Sequence, residues 1–313
     1  MVRITFPLAA LLSAQILAAS AAAGAEHKQI NVTPADVSDA QKLAEHGDRE
    51  AENLLGSLYS TGEGLPRDQQ KALYWWRKAA DQGHAIAALH LSGAYLYGEG
   101  VTEDKKEGLK WLRKAAEGGS PRAQWTLGTF YSRGDGLPKD MKQAVKWWRK
   151  SADQGFAKAE GDLGVAYGTG TGTEKNMPES VRLLHKAADA GYATAQLNLG
   201  TLYSAGIGVP ENKSAAAQWW RKAADGGNTT AQVNLATAYA KGEGMPRDLA
   251  QAYMWYDISA TKSPEAASLR ESLAHFMTES EITHAKHLSS EWKKHDMEAI
   301  AHEFSIPGSI SSP

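Results

Sequence analysis

The chain has 313 residues, with 34 Lys and Arg against 36 Asp and Glu, and it contains no cysteine. The near-neutral charge argues against a nucleic-acid binder, which normally has a basic excess. Without cysteine there is no disulfide, no thiolate metal site and no cysteine nucleophile. Thirty glycines are compatible with disorder, but ten tryptophans and eleven tyrosines argue for a folded chain.

The first 25 residues are typical of a cleavable export signal. One charge, at Arg3, precedes an apolar stretch that ends in the small residues Ala23-Gly24-Ala25. The stretch is short for a membrane-spanning helix. We therefore expect a signal peptide over residues 1–25, a polar flexible segment over residues 26–37, and a periplasmic or secreted mature protein without an integral membrane segment.

A period of 36 residues runs without insertion through six copies over residues 48–263. Each copy contains an alanine, a leucine and a tyrosine at fixed positions. The leucines are Leu55, Leu91, Leu127, Leu163, Leu199 and Leu235, and the tyrosines are Tyr59, Tyr95, Tyr131, Tyr167, Tyr203 and Tyr239. Such regularity indicates repeated structural units stacked on one another.

Each unit is predicted to form two antiparallel helices. A glycine pair after the tyrosine ends the first helix, because glycine adopts the left-handed conformation that closes a helix. An Asp or Asn then caps the second helix, at Asp68, Asp104, Asp140, Asn176, Asn212 and Asp248. The fold class is therefore all-α, with six helix-turn-helix repeats.

Eight of the ten tryptophans lie at two positions of the second helix. Burying one such ring removes about 150–250 Å² from water, or roughly 4–6 kcal/mol as an upper bound. One helix pair cannot cover that much apolar surface alone, whereas stacked neighbours can. The tryptophans therefore favour an α-solenoid over detached units.

Both ends of the array look like caps. Residues 38–47 resemble a partial second helix and predict an N-terminal cap. Residues 264–296 predict two C-terminal capping helices, and Thr278 with Glu281 forms a capping-box pattern at the start of the last one. Residues 297–313 are predicted to be a frayed tail.

The repeat resembles the Sel-1-like repeat, a relative of the tetratricopeptide repeat. Its pattern is A-x-x-x-L-G-x-x-Y-x-x-G-x-G-x-x-x-D followed by A-x-x-W-x-x-x-A-A-x-x-G. The third copy matches it in order at Ala123, Leu127, Gly128, Tyr131, Gly134, Gly136, Asp140, Ala144, Trp147, Ala152 and Gly155. Ser92 and Ala236 replace the first-helix glycine, and Leu183 and Leu184 replace tryptophans in the fourth copy, which predicts looser packing there.

The resemblance implies a right-handed α-solenoid whose relatives mostly act as adaptors. Exported bacterial members are associated with envelope signalling, peptidoglycan-related processes and host contact. A cysteine-rich subgroup is linked to penicillin binding and β-lactam hydrolysis, but it depends on a cysteine pair in each repeat. This chain has no cysteine.

Catalytic and metal patterns are weak. Ser259 with Lys262 and Ser290 with Lys293 match S-x-x-K, but a motif with two fixed positions arises by chance, and no S-D-N or K-T-G partner is present. His284 and His287 lie three residues apart and have no evident third metal ligand. We therefore predict neither an enzyme nor a metal or cofactor site.

Two further patterns have structural interpretations that we prefer. The tripeptide Arg133-Gly134-Asp135 matches an integrin-binding motif, but Gly134 is a repeat glycine. Basic pairs recur late in the second helices, at Arg77-Lys78, Arg113-Lys114, Arg149-Lys150 and Arg221-Lys222. They are suited to binding an acidic polymer, but also to the negative end of the helix dipole and to covering the tryptophans, which we favour.

Binding is the expected activity, because stacked first helices create an extended concave wall. By analogy with related helix pairs, the wall uses positions two before and two after the leucine and one or two after the tyrosine. The candidate partner-binding residues are Leu89, Tyr97, Trp125, Thr129, Arg133, Leu197, Thr201 and Lys241. Trp125 either anchors a partner or packs inside the groove, and the sequence leaves both possibilities open.

The sequence thus predicts an exported, non-enzymatic scaffold that holds a protein or peptide in its concave groove and does not bind nucleic acid. One alternative is an envelope regulator that sequesters the outer domain of a sensor protein. Another is a peptidoglycan-related binder or a β-lactamase-like enzyme, in which Ser259 would react with a penicillin probe.

Overall fold

A computed structural model describes residues 33–304, with side chains described as far as residue 294. All regular secondary structure in this range is helical. The fifteen helices described are α1 (Pro34–Glu45), α2 (Arg49–Thr61), α3 (Gln69–Asp81), α4 (Ala85–Tyr97), α5 (Lys105–Glu117), α6 (Pro121–Arg133), α7 (Met141–Ala152), α8 (Ala157–Thr169), α9 (Met177–Asp189), α10 (Ala193–Ala205), α11 (Lys213–Asp225), α12 (Thr229–Lys241), α13 (Leu249–Ser259), α14 (Pro264–Ala274) and α15 (Glu279–Phe304).

The helices from α2 to α13 form six pairs, one for each copy of the repeat, which confirms the predicted all-α solenoid class. The described chain divides into two compact units, residues 33–159 with 171–174, and residues 160–170 with 175–304. In the first unit each helix from α1 to α7 packs on its neighbour in sequence. In the second unit the same holds from α9 to α13, and both α14 and α15 pack on α13.

The predicted caps form at every second helix. Asp68, for example, accepts a hydrogen bond from the backbone N–H of Lys71 at 3.0 Å, and the other five capping residues make the equivalent bond. Gly98 ends α4 with φ of 71° and donates its N–H to the carbonyl oxygen of Ala94. These short-range bonds explain why the repeat boundaries follow so closely from the sequence.

The second-helix tryptophans form much of the core, as predicted. Six of the eight are buried, and Trp75 and Trp219 are half-buried against neighbouring core residues. The buried ones are Trp76, Trp111, Trp147, Trp148, Trp220 and Trp255. Because their neighbours belong to adjacent helix pairs, the hydrophobic effect stabilises each unit as an assembly of pairs.

Glycine and tryptophan occur together at one packing site. The ring edge of Trp148 lies against Gly128 of the preceding helix, and Trp76 and Trp220 lie in the same way against glycine. In the second and sixth repeats the glycine is replaced by a larger residue. There the tryptophan is also replaced, by Leu112 and Tyr256 respectively. In these two repeats the departures from the pattern therefore compensate each other in volume, whereas the fourth repeat keeps Gly164 and has Leu184 in place of the tryptophan.

A side chain late in each of three second helices contacts the next repeat. Arg77 donates a hydrogen bond to the Tyr95 hydroxyl and lies 5.8 Å from the centre of the Trp111 ring. Arg221 makes the equivalent contacts with Tyr239 and Trp255. In the fourth repeat a histidine takes this position, and His185 contacts Tyr203 and Trp219. These contacts fix one repeat against the next.

The N-terminal cap begins earlier than predicted. Helix α1 starts at Pro34, inside the segment 26–37 that the sequence predicts to be flexible. The reason is a capping box in which Thr33 accepts from the backbone N–H of Asp36 while Asp36 accepts from the backbone N–H of Thr33. The predicted signal peptide over residues 1–25 lies outside the described residues.

The C-terminal end also differs from the prediction. Helices α14 and α15 lie where two capping helices were expected, and the Thr278–Glu281 capping box forms. However, α15 continues to Phe304, beyond residue 296 and into the predicted tail 297–313. The expected end had no glycine or proline to impose it, so the helix continues.

Candidate binding face

In the first unit, two candidate residues lie on α4 in different surroundings. Leu89 is half-buried and packs against the core, so little of it is available to a partner. Tyr97 is the last residue of α4, and 73% of its surface is exposed. A tyrosine exposed to this extent gains little from the fold, which makes it a candidate for intermolecular contact.

Trp125 is half-buried on α6 and packs within the protein. Its ring centre lies 5.8 Å from that of Phe156, and the ammonium group of Lys158 lies 5.2 Å from the ring centre. Phe156 directly precedes α8, and Lys158 is the second residue of α8. These contacts favour the interpretation that Trp125 supports the face from within over the one in which it projects as an anchor.

The other two candidates on α6 are Thr129 and Arg133. The Thr129 hydroxyl donates to the carbonyl oxygen of Trp125 at 3.0 Å, so its hydrogen-bonding capacity is partly used inside the helix. Arg133 is the last residue of α6, is exposed, and makes no ion pair within the described residues. Tyr97 and Arg133 thus occupy the same position in successive first helices, both exposed.

The second unit contains the remaining three candidates. Leu197 is half-buried against the core, as Leu89 is in the first unit. Thr201 is exposed and donates its hydroxyl to the carbonyl oxygen of Leu197 at 3.1 Å. Lys241 is the exposed last residue of α12. Of the three candidate residues in the second unit, one is an exposed cation and none is aromatic.

A row of buried polar residues, which was not predicted from the sequence, lies one position after the repeat alanine. Gln124 donates to the carbonyl oxygen of Ala116 at 3.1 Å, and Gln196 and Gln232 make the equivalent bond. In the first repeat the residue is Glu52, fully buried and 3.1 Å from the ammonium of Lys78. The three glutamine bonds join neighbouring helix pairs, whereas the Glu52 contact lies within one pair, and the recurrence of Glu or Gln beside a core alanine was a detectable indication of a structural role.

The basic pairs contact the tryptophans, in agreement with the structural interpretation. In each of four second helices the lysine of the pair lies over the tryptophan three residues earlier. The distances to the ring centre are 4.8 Å for Lys78 on Trp75, 4.2 Å for Lys114 on Trp111, 4.5 Å for Lys150 on Trp147 and 4.1 Å for Lys222 on Trp219. Each lysine stem therefore covers an indole ring while its charge stays near solvent.

Neither S-x-x-K pair has the arrangement of a serine nucleophile. Ser259 is 1% exposed and donates its hydroxyl to the carbonyl oxygen of Trp255 at 2.8 Å. Lys293 is 2.9 Å from Asp257, which also accepts from Ser289 and Arg270. Burial by itself raises the pKa of Asp257, but these hydrogen bonds outweigh it and hold the pKa below its ordinary value.

The remaining motifs have local structural roles. Gly134 of the Arg133-Gly134-Asp135 tripeptide ends α6 with φ of 80°, and the N–H of Asp135 donates to the carbonyl oxygen of Phe130. His284 and His287 are exposed on α15, and the described residues contain no group of three or more His, Asp or Glu able to hold a metal ion. None of the described helices combines the length and apolar character needed to cross a membrane.

Helix pairs with a shared core and an exposed first-helix face define an interaction scaffold of the α-solenoid class. The model of the Sel1 repeat matches six segments, residues 49–84, 85–120, 121–156, 157–192, 193–228 and 229–263. The protein therefore belongs to the Sel1 repeat family, whose members are generally non-enzymatic scaffolds that bind proteins.

Two solved structures are similar to the chain. A Sel1 repeat protein from Oxalobacter formigenes is 30% identical, with 72% of this chain and all of that chain covered and a TM-score of 0.64. The protein c5321 from uropathogenic Escherichia coli, described as a protective antigen with an SLR fold, is 28% identical. The similarity covers 90% of this chain and 69% of that one, with a TM-score of 0.57. No curated protein matches the chain.

Proposed function

We propose that the first-helix face of the first unit binds a protein or peptide partner, and that the protein acts as an exported, non-enzymatic scaffold. The observation on which this depends is the pair Tyr97 and Arg133, exposed at the same position of successive first helices. Tyrosine and arginine are the residue types that most often dominate binding at protein interfaces. A partner that covers both would bury an aromatic ring and pair a free guanidinium group.

Trp125 has a supporting role in this proposal. Its contacts with Phe156 and Lys158 hold α6 in place from inside the unit. A face that is rigid before binding loses less conformational entropy when a partner arrives. Mutation of Trp125 would therefore disturb packing and binding together, which makes it a poor probe of the face.

A photocrosslinking experiment identifies the partner. The crosslinking amino acid benzoylphenylalanine replaces Tyr97 in cells that express the protein. The control position is Tyr74 on α3, which is also an exposed tyrosine, at 57%. We expect a discrete crosslinked protein from position 97 and not from position 74, and mass spectrometry of that product distinguishes an envelope sensor from other partners.

The double variant Tyr97→Ala, Arg133→Ala tests the energetic role of the face. We expect it to fold normally and to bind the crosslinked partner at least about a hundredfold more weakly, as expected for loss of two interface anchors. The matched control is Tyr74→Ala, Arg67→Ala, which removes an exposed tyrosine and an exposed arginine from the first repeat. Equal affinity of both double variants for the partner would refute the assignment of the face.

Export is part of the proposal and has its own test. It is supported by the signal-like residues 1–25 and by the similar E. coli protein, which is a protective antigen. N-terminal sequencing of the protein purified from its native cell should give Glu26 as the first residue. A chain that retains residues 1–25 in the cytoplasmic fraction would contradict export without affecting the binding face.

A further inference from the structure

The third repeat has the largest excess of cations over anions among the six repeats. The third repeat, residues 121–156, has seven Lys and Arg against three Asp and Glu, although the whole chain has a net charge of −2. The preceding repeat, residues 85–120, has five of each. The excess is therefore a local property of the third repeat and does not follow from composition.

Most of these cations lie on the outside of α7. Every exposed residue of this helix is a Lys or Arg, and the equivalent positions of α5 are also cationic. We call this surface the basic face. It consists of Lys106, Lys110, Arg113 and Lys114 of α5 and Lys142, Lys146, Arg149 and Lys150 of α7. Both helices belong to the first unit.

In other repeats the corresponding cations have acidic neighbours on their own helix. Lys110 lies 3.1 Å from Glu107 on α5, and a similar pair exists on α9. On α7 the residue that corresponds to Glu107 is Gln143, so Lys146 has no carboxylate three residues before it. The third repeat therefore has the lysine but lacks the glutamate that pairs with its equivalent on α5.

The same substitution occurs at the end of the helix. Lys78 on α3 lies 3.1 Å from Glu52, whereas the residue that corresponds to Glu52 in the third repeat is Gln124. Lys150 therefore has no equivalent ion pair, although its stem covers Trp147. Covering an indole ring explains the position of Lys150, but its ammonium charge is still not neutralised.

For three lysines of the basic face, neither an ion pair nor contact with an aromatic ring explains the position. Lys106, Lys142 and Lys146 are exposed, and within the described residues they make no ion pair and no contact with an aromatic ring. Lys142 and Lys146 are one helical turn apart, and Lys106 occupies on α5 the position of Lys142 on α7. Exposed like charges placed one turn apart on a helix destabilise it slightly, so the fold gains nothing from them.

We propose that the basic face docks an acidic segment of a partner protein. The positive charge of the basic face attracts carboxylates. Cations spaced about 6 Å apart along a helix match carboxylates on successive turns of a partner helix. An anionic membrane suits it less, because no apolar side chain is exposed on α7 to enter a bilayer. This surface lies on second helices and is separate from the face around Tyr97.

The probe is a fluorescein-labelled peptide of about 16 residues with glutamate at every fourth position, which places its carboxylates on one helical face. Fluorescence anisotropy at about 0.15 M salt measures its affinity for the full chain. The triple variant Lys106→Gln, Lys142→Gln, Lys146→Gln is expected to bind at least about tenfold more weakly. The control Lys262→Gln, Lys286→Gln, Lys294→Gln changes the net charge equally, and we expect it to stay within about twofold of the natural chain.

Each other outcome overturns the proposal. Equal weakening by both triple variants would mean attraction to net charge alone, and equal affinity for a peptide with glutamine in place of glutamate would exclude charge recognition. Binding of phosphatidylglycerol vesicles or duplex DNA that depends on the basic face, without peptide binding, would assign it to a membrane or nucleic acid. Self-association lost in the first triple variant would assign it to a second copy of the chain. The Tyr97→Ala, Arg133→Ala variant should retain peptide binding, so the two surfaces can fail separately.

Discussion

Replacing Gly128 with alanine is expected to lower the free energy of unfolding by about 1–2 kcal/mol. A Cβ atom at Gly128 would lie 2.6 Å from Cδ1 and 2.7 Å from Nε1 of Trp148, whose ring is buried. Overpacking of this kind costs about 1–3 kcal/mol and sometimes more. The better helix propensity of alanine returns only about 1 kcal/mol. The expected balance is a loss, because the ring has no free volume into which to move.

Gly164→Ala is the matched control, because the residue that faces it is a leucine. Its Cβ would lie 3.0 Å from Cγ of Leu184, a side chain that adjusts more easily than an indole ring. We expect its unfolding free energy to stay within about 1 kcal/mol of the natural chain. Urea denaturation followed by circular dichroism measures the unfolding free energies of both variants. A Gly128→Ala chain as stable as the natural one would refute the close-packing argument.

A double-mutant cycle sharpens this test. The second and sixth repeats combine a larger first-helix residue with Leu112 or Tyr256, so Gly128→Ala combined with Trp148→Leu approaches a natural combination. We expect the double variant to lose less stability than the sum of the single variants, by at least about 1 kcal/mol. Additive losses would mean that the two sites are independent.

The repeats, the caps and the buried tryptophans could all be predicted from the sequence because each depends on short-range rules. A glycine after the tyrosine ends a helix and an Asp such as Asp68 starts the next, whatever surrounds them. Six copies then show which residues recur at each position. The start of α1 was not predicted, although Thr33 and Asp36 form a recognisable capping box, because the polar composition of residues 26–37 favours a flexible segment.

Whether an individual candidate binding residue is buried or exposed could not be predicted in the same way. Leu89 and Tyr97 occupy equally plausible positions of one helix, yet one packs against the core and the other is exposed. The difference depends on which side chain of the adjacent repeat reaches each position. Trp125 illustrates this, since Phe156 lies 31 residues further along the chain and is not marked by the repeat pattern.

The two proposed surfaces use different parts of the same repeats. The first helices provide Tyr97 and Arg133, and the second helices provide the basic face. For the first surface the evidence is an exposed aromatic ring, and for the second it is a set of exposed lysines that make no ion pair within the described residues. Exposed side chains that stabilise neither a helix nor the core are most simply explained by contact with another molecule.

Acid is expected to destabilise the first unit through His90. Its ring stacks on Trp76 with centres 4.6 Å apart, and burial, followed by the positive charge of Arg122 and by His84, lowers the pKa of His90 to about 4 from 6.5. Between these values the unfolded chain binds a proton that the folded chain does not. Stability is therefore complete above about pH 6.5 and falls by up to about 3 kcal/mol as the pH approaches 4.

His90→Leu should remove this component, because the variant has no group that titrates in the window and leucine is the natural residue at the equivalent Leu54. Urea midpoints at several pH values between 7.5 and 4, each followed by circular dichroism, give the difference between the two chains. The exposed His275→Gln is the control and should keep the acid dependence of the natural chain. Asp257 does not interfere with this comparison. Because its pKa is lowered, its carboxylate affects stability mainly below pH 3.8, the ordinary pKa of the group. An unchanged acid dependence in His90→Leu would show that His90 takes up its proton in the folded state as readily as in the unfolded one.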